Sequence, residues 1–336
     1  MIAIHKVTIK DVAKEAGVSI STVSNALNNV DVLKPDTKEH ILEVADRLNY
    51  IPNLNGKNLK ASATKVIGFF ITSIAGPYYS VLADSLYTAC NDAGYGLIIY
   101  ITQSEKAAMT NILGQRIDGA IIFDDWIKEK QIETLKRARI PIVFLDREIQ
   151  AENMSSVLFD SYAGGKMITE YMIKAGHKKI GYLHGYLHTY DDQERFRGFC
   201  DAIHEAGIEF CDYAILEGRF EEAAAYAVIK NYIQSGKPMV DAFFAANDIS
   251  AIGCIKALKD SGYHVPSDVS VVGCDDIDLC EFFRPPITTI NNPIRRQGML
   301  AVEQLLRTIQ GQGKGTVEKL HGRLVIRESC KMAKEN

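Results

Sequence analysis

The chain has 336 residues, of which 47% are hydrophobic and 24% charged, and carries a formal net charge of −4. That length exceeds one ordinary domain, and the composition excludes a low-complexity or fibrous protein. The acidic balance argues against a protein coated in nucleic acid along its length, while leaving room for a small DNA-reading head on an acidic body.

Apolar runs such as "VIGFF", "AIIF" and "IPIVFL" have strand length and are far too short to cross a bilayer, so no membrane association is expected. The amphipathic start "MIAIHKVTIKDVAKEAG" has no uninterrupted apolar core and no small-residue cleavage site. No signal peptide is read, and a cytoplasmic, nucleoid-associated location is expected. The seven cysteines are scattered without a C-x-x-C pair, which suits buried thiols in a reducing compartment.

Thr8 opens the first predicted helix, with Asp11 at the third position of a capping-box-like start. Ile9, Val12, Ala13 and Ala16 follow at i, i+3, i+4 and i+7, and Gly17 supplies the stop. Ser19 caps a second helix that ends at Asn28-Asn29. A third begins after Pro35 and carries Ile41, Val44, Ala45 and Leu48 on one face. So tight a turn between the first two helices predicts a helix-turn-helix module.

The second helix has an odd composition. Val23, Ala26 and Leu27 make a thin apolar stripe, and Ile20, Ser21, Thr22, Ser24 and Asn25 are left to face outward or sideways. Ser and Asn are poor mid-helix residues because their side chains compete for the backbone's hydrogen bonds. As a groove-facing surface they make sense: short hydroxyl and amide groups let a helix sit deep in the major groove, against base edges and phosphate oxygens. The bland alternative is a three-helix cap with a Ser-rich solvent face.

From Val66 onward strand-like runs alternate with helical stretches: "VIGFFI", "GLIIYI", "GAIIF", "IPIVFLD", "SVLFD", "KIGYLHG", "DAFFAAND" and "SVVGCDD". The helices are typified by "SYAGGKMITEYMIKAG" and "DISAIGCIKALKDSG". Near-continuous apolar strands between helices predict parallel sheets covered on both faces. So many units exceed one comfortable sheet, so two similar α/β lobes are expected. Asp146, Asp160, Asp248 and Asp275 each follow an apolar run directly, where open α/β sheets bind ligands. Each acid alone could equally cap the next helix, as Asp160 before "SYAGG" is expected to do.

The string "VTIKDVAKEAGVSISTVSNALN", followed by "LNYIPN", resembles the head of the lac repressor/galactose repressor family. "FFAANDISAIGCIKAL", "VPSDVSVVGCDDI" and "PPITTINNP" resemble later family blocks, so the resemblance spans nearly the whole chain. It implies a transcription regulator, most simply a repressor, that binds double-stranded operator DNA as a homodimer under control of a small-molecule effector. For the fold it implies an all-α helix-turn-helix head and two doubly wound lobes of periplasmic-binding-protein type I architecture, crossed three times by the chain. The expected division is a head over 1–52, a hinge segment and linker over 53–65, and a body over 66–336. Within the body the N-lobe takes about 66–160 and 292–320, and the C-lobe about 161–291 and 321–330. After "LVIRES" only "CKMAKEN" follows, too short for a zipper of several heptads, which also leads to the expectation of a homodimer.

By the same resemblance Asn53 joins Ile20, Ser21, Thr22, Ser24 and Asn25 in the DNA-binding set, and Leu59 matches an apolar wedge inserted in the minor groove. Asn25 stands where most members have Arg, the usual reader of guanine, whereas Asn prefers adenine. Lys34 replaces the common Ser cap of the third helix, and Gly56 a common Ala of the hinge, which disfavours helix there until DNA is bound. In the body, Asp146 in "FLDRE", Arg195 in "RFRGF", Asn247 in "AANDI" and Asp275 in "GCDDI" match cleft positions, and Phe220 matches a wall position. An Arg fork, an amide and two carboxylates can bracket vicinal hydroxyls, which suits a sugar. Ser73 and Gly76 stand where many members have Asp and Asn, and "ITQSEKAAMTNILGQRIDG" is shorter than usual, so the N-lobe side of the cleft is its own. Ser73, Tyr78 and Trp126 complete the expected effector set. For Tyr78, Tyr79 and Trp126, packing of the ring is the stronger single reading.

Other chemistries lack their motifs. No G-x-G-x-x-G follows the first strand, no P-loop and no nucleophile elbow occur, and no cofactor is expected. His184 and His188 in "LHGYLH" lack a third ligand and are read as lobe-edge polar residues, with no metal. The chain is therefore read as a regulator and not an enzyme. The competing reading is a sugar-binding or sugar-processing α/β protein whose N-terminal helices serve packing or dimerisation.

Overall fold

A computed structural model describes residues 7–51, 63–114, 116–124 and 126–331. The chain separates into an N-terminal unit ending at Thr64 and a larger unit beginning at Lys65. In the first, α1 (Ile9–Glu15) starts where the Thr8 amide and hydroxyl both donate to Asp11, at 2.8 and 2.7 Å. Gly17 turns the chain at φ 68°, and α2 (Ile20–Leu27) follows with Ser19 Oγ accepting from the Thr22 amide. Lys34 precedes α3 (Pro35–Arg47) without a side-chain cap, and Pro35 takes the first turn, where its missing N–H is not needed. Val12, Val23 and Ile41, one from each helix, are fully buried and centre the small core.

The second unit opens with β1 (Val66–Ile71), α4 (Pro77–Asp92), β2 (Gly96–Ile101), α5 (Glu105–Leu113) and β3 (Gly119–Phe123). It continues through α6 (Glu129–Ala138), β4 (Ile142–Phe144) and β5 (Met154–Phe159). The second lobe follows as α7 (Ser161–Lys174), β6 (Ile180–His184), α8 (Tyr190–Glu205), β7 (Ile215–Glu217) and α9 (Glu222–Gln234). Then come β8 (Ala242–Ala245), α10 (Asp248–Lys259), β9 (Ser270–Val272) and the short α11 (Leu279–Phe282). The last elements are β10 (Thr289–Asn291), α12 (Ile294–Ile309), β11 (Val317–Leu320) and β12 (Arg323–Val325).

These strands make a six-stranded sheet in the order β11-β5-β4-β3-β1-β2 and a four-stranded sheet in the order β7-β6-β8-β9, every pairing in both being parallel. Each sheet has a buried apolar layer on both faces, as parallel sheets require. The exception is the edge strand β2, where Ile98, Ile99 and Ile101 are exposed. The chain passes between the sheets three times, after β5, after β10 and after β11. The three passages lie together: the Asp160 amide donates to the Leu320 carbonyl at 2.8 Å, and Asn291 pairs with Arg323 in the antiparallel β10–β12 ladder. No described helix is long and apolar enough to cross a membrane.

Candidate functional site

Both parallel sheets end on a shared cleft of about 960 Å³. Ser73 follows β1, Gln103 β2, Trp126 β3 and Asp146 β4, while Tyr186 follows β6, Phe220 β7, Asn247 β8 and Asp275 β9, and all line it. This is the position, outside the carboxyl ends of the strands, where open α/β sheets hold ligands. Tyr78, at the start of α4, and Arg195, in α8, also line it. The eight residues singled out from the sequence for this role thus share one cavity, four from each lobe.

Their surroundings give them different work. Arg195 is buried and donates from Nη1 to the Ala246 carbonyl at 2.7 Å and from Nη2 to Ser161 Oγ at 3.4 Å, while its Nε has no partner. Asp275 sits at φ 118°, a strained position for a residue with a Cβ. Its Oδ1 accepts from Asn292 Nδ2 at 3.2 Å. Burial raises its pKa to about 7, against the opposing pull of Arg195. Asn292 Oδ1 is buried without a partner. Phe220 also lies at positive φ, 58°, and its ring covers Gly185 so closely that any side chain there would overlap it.

Asn247 is less free than its place at the cleft suggests. Its Oδ1 caps α10 by accepting from the Ser250 amide at 2.9 Å, and its Nδ2 donates to the Phe220 carbonyl at 3.2 Å. It acts on the cleft by holding the Phe220 turn. Ser73 Oγ accepts from the Ala75 amide at 3.1 Å. Tyr78 OH donates to Gln297 Oε1 at 3.1 Å, and burial raises its pKa well above the usual phenol value. Tyr78 and Tyr79 pack against the first lobe's core while lining the cleft, as expected for rings at this junction. Trp126 departs from that expectation: it is 44% exposed.

The structure refines two readings of acids and corrects the reading of His184. Asp146 is not an open carboxylate, because Arg147 Nε and Nη2 grip its oxygens at 3.0 and 2.5 Å. Asp248 faces the core, accepting from Thr289 Oγ1 at 2.6 Å and the Ile277 amide at 3.0 Å. His184 is not at a lobe edge. It is buried between Tyr182 and Phe196, with Nδ1 2.7 Å from Asp192 Oδ2. Asp160, by contrast, caps α7 through the Ala163 amide as expected. Among the described residues, no group of three or more His, Cys, Asp or Glu is placed to hold a metal. Tyr186, Asp191 and Asn292 line the cleft and were not singled out. Tyr186 was findable, since it stands two residues beyond the "IGYLH" strand.

In the head, α2 presents Ile20 (45% exposed) and Ser21 fully outward, with Thr22, Ser24 and Asn25 half-buried at its flanks. Thr22 Oγ1 lies 2.7 Å from Ser19 Oγ, and Asn28 Nδ2 donates to Ser24, so these hydroxyls are already oriented. Asn53, Gly56 and Leu59 lie outside the described residues.

Residues 8–53 match the family described as bacterial regulatory proteins, lacI family, and residues 169–330 match a periplasmic binding protein-like domain. The chain is 33% identical over 331 residues to the HTH-type transcriptional repressor PurR of Actinobacillus pleuropneumoniae serotype 3 (strain JL03), covering 96% of this chain and 98% of that protein. To PurR of Vibrio vulnificus (strain CMCP6) it is 35% identical at the same coverage. Among solved structures it resembles the lac repressor dimer bound to operator and the anti-inducer ONPF, with TM-score 0.82, 29% identity and coverage of 96% and 98%. It also resembles the transcriptional regulator CelR in its cellobiose complex, with TM-score 0.73, 27% identity and coverage of 96% and 99%.

Proposed function

Since this chain belongs to the lacI family of bacterial regulatory proteins and is a DNA-binding transcriptional regulator, we propose that a small sugar sets its affinity for operator DNA. One observation carries the choice of a sugar. Two residues that line the cleft each hold a buried polar atom without a partner, the donor Arg195 Nε and the acceptor Asn292 Oδ1, and Asn292 also bonds the Asp275 carboxyl. Buried polar groups are normally satisfied, and neighbouring hydroxyls, each both donor and acceptor, satisfy this set. The cellobiose held by the similar regulator CelR supports the same chemistry here. Isothermal titration against mono- and disaccharides tests the reading. Tight binding of a purine or a bis-phosphate in their place overturns it.

For the operator, we assign Ile20, Ser21 and Asn25 to base edges and Thr22 and Ser24 to phosphates, with Asn53 and Leu59 as further DNA contacts. The exposure of Ile20 and Ser21 supports their place on the reading face, which Thr22, Ser24 and Asn25 flank. The working boundaries are a head over 1–52, a linker over 53–65 and a body over 66–336. We take the functional unit to be a cytoplasmic homodimer; light scattering that finds a stable tetramer at micromolar concentration contradicts it. The relatives are named as repressors, and no catalytic step is assigned. A gel shift on DNA upstream of the chain's own coding region separates this reading from a sugar-binding protein whose helices only pack.

A further inference from the structure

Trp126 is the single tryptophan of the chain. It follows β3 and lines the cleft with nearly half its surface open. Tyr186 follows β6 in the other lobe and lines the same cleft at 38% exposure. Large rings left open on a concave surface mark a place that a ligand covers. Both are tied to their surroundings by hydrogen bonds. The Trp126 amide donates to Asp124 Oδ1 at 2.7 Å, and Arg147 holds the carbonyls of Asp124 and Ile127 on either side of it. Tyr186 OH donates to Glu221 Oε1 at 2.8 Å, fixing its ring. The Tyr186 ring and the backbone that carries Trp126 are therefore held before anything binds.

The cleft thus has two parts of different character. Its deep part is polar and closed, with Arg195, Asp275 and Asn292 all buried. Its outer part is aromatic and open, with one ring from each lobe. The volume, about 960 Å³, stands at the top of the range of roughly 300–1,000 Å³ typical of small-molecule sites. One sugar ring occupied with the deep polar groups leaves the outer rings uncovered.

We propose that the effector is a saccharide of two linked rings, the first hydrogen-bonded by Arg195, Asp275 and Asn292, the second packed by its C–H faces against Trp126 and Tyr186. This rests on the sugar reading above. It adds a second subsite and makes Trp126 and Tyr186 the residues that select for chain length.

The full-length protein is titrated with glucose and galactose and with cellobiose, maltose and lactose, by calorimetry and by the emission of Trp126. One disaccharide is expected to bind at least about ten-fold more tightly than its component monosaccharides, the worth of one well-packed aromatic contact, and to change Trp126 emission. Trp126→Ala should remove that advantage, bringing the disaccharide to within about two-fold of its component monosaccharides; Trp126→Phe should restore most of it. A monosaccharide that binds as tightly as its disaccharide, with Trp126 emission unchanged, overturns the second subsite while the sugar reading stands. Failure of every saccharide to release heat overturns the sugar reading, and this inference with it.

Discussion

Asn292 donates from Nδ2 to Oδ1 of Asp275 across 3.2 Å, so the second passage between the lobes is tied directly to the deepest carboxyl of the cleft. Burial holds that carboxyl near 7, far above the value of about 3.9 for an exposed Asp. Between those two values the folded protein keeps a proton that the unfolded chain has released. The contribution of this carboxyl to stability is therefore fully present below about pH 4 and is lost as pH rises through 7. Asp275→Asn removes the buried charge, with an upper bound of roughly 4 kcal/mol. Melting curves should show it several degrees more stable than the parent at pH 8 and equal to it at pH 4.

The same carboxyl should tune effector binding. Hydroxyls donating to Asp275 favour its ionised form, so binding releases a proton below pH 7. Effector affinity is expected to rise by up to about ten-fold per pH unit up to 7 and to level off above. Calorimetry from pH 5.5 to 8.5 gives the profile, and a flat one in the parent protein contradicts it. In Asp275→Asn the profile should be flat and binding weak.

Gly185 tests the Phe220 wall without touching a polar group. A Cβ there collides with the Phe220 ring, so Gly185→Ala should displace the ring and lower effector affinity as much as Phe220→Ala does. Operator affinity without effector should be unchanged in both variants.

The strands were legible where burial on both faces leaves a continuous apolar run: "VIGFFI" is β1 and "GAIIF" is β3, residue for residue. Strands β7, β11 and β12 escaped because "ILE", "VEKL" and "RLV" are short, polar-edged and only half covered. The acids at strand ends were visible, but their roles were not. Asp146 lines the cleft already paired with its neighbour Arg147, Asp248 is turned to the core and hydrogen-bonded by Thr289, 41 residues away, and Asp275 lies in the cleft beside Asn292, 17 residues on. Sequence shows where a side chain emerges from a strand. What meets it there is decided by folding of distant segments.

Asn25 carries a prediction for DNA. No hydrogen bond within the described residues engages its side-chain amide. Asn25→Ala should cost about 1–3 kcal/mol of operator binding and relax preference at one base pair, the worth of a base-edge contact. Unchanged affinity and sequence preference in a gel shift would remove Asn25 from the reading surface.

Lys34 occupies the cap position of α3 in extended backbone, φ −63° and ψ 142°, and supplies no cap bond. Lys34→Ser should add about 1 kcal/mol to the stability of the helical head. The measurement is hydrogen exchange of the α3 amides, which should slow about five-fold.

The three passages between the lobes lie side by side, joined by the Asp160–Leu320 and Asn291–Arg323 pairings. A single strap would let one lobe swivel freely on the other. Three adjacent straps behave as a flexure: twisting or sliding stretches some while compressing others, and only bending about one line strains them equally. Opening and shutting of the cleft is thereby confined to a single soft coordinate. A molecule that closes on Arg195 and Asp275 can then deliver its binding energy along that one coordinate.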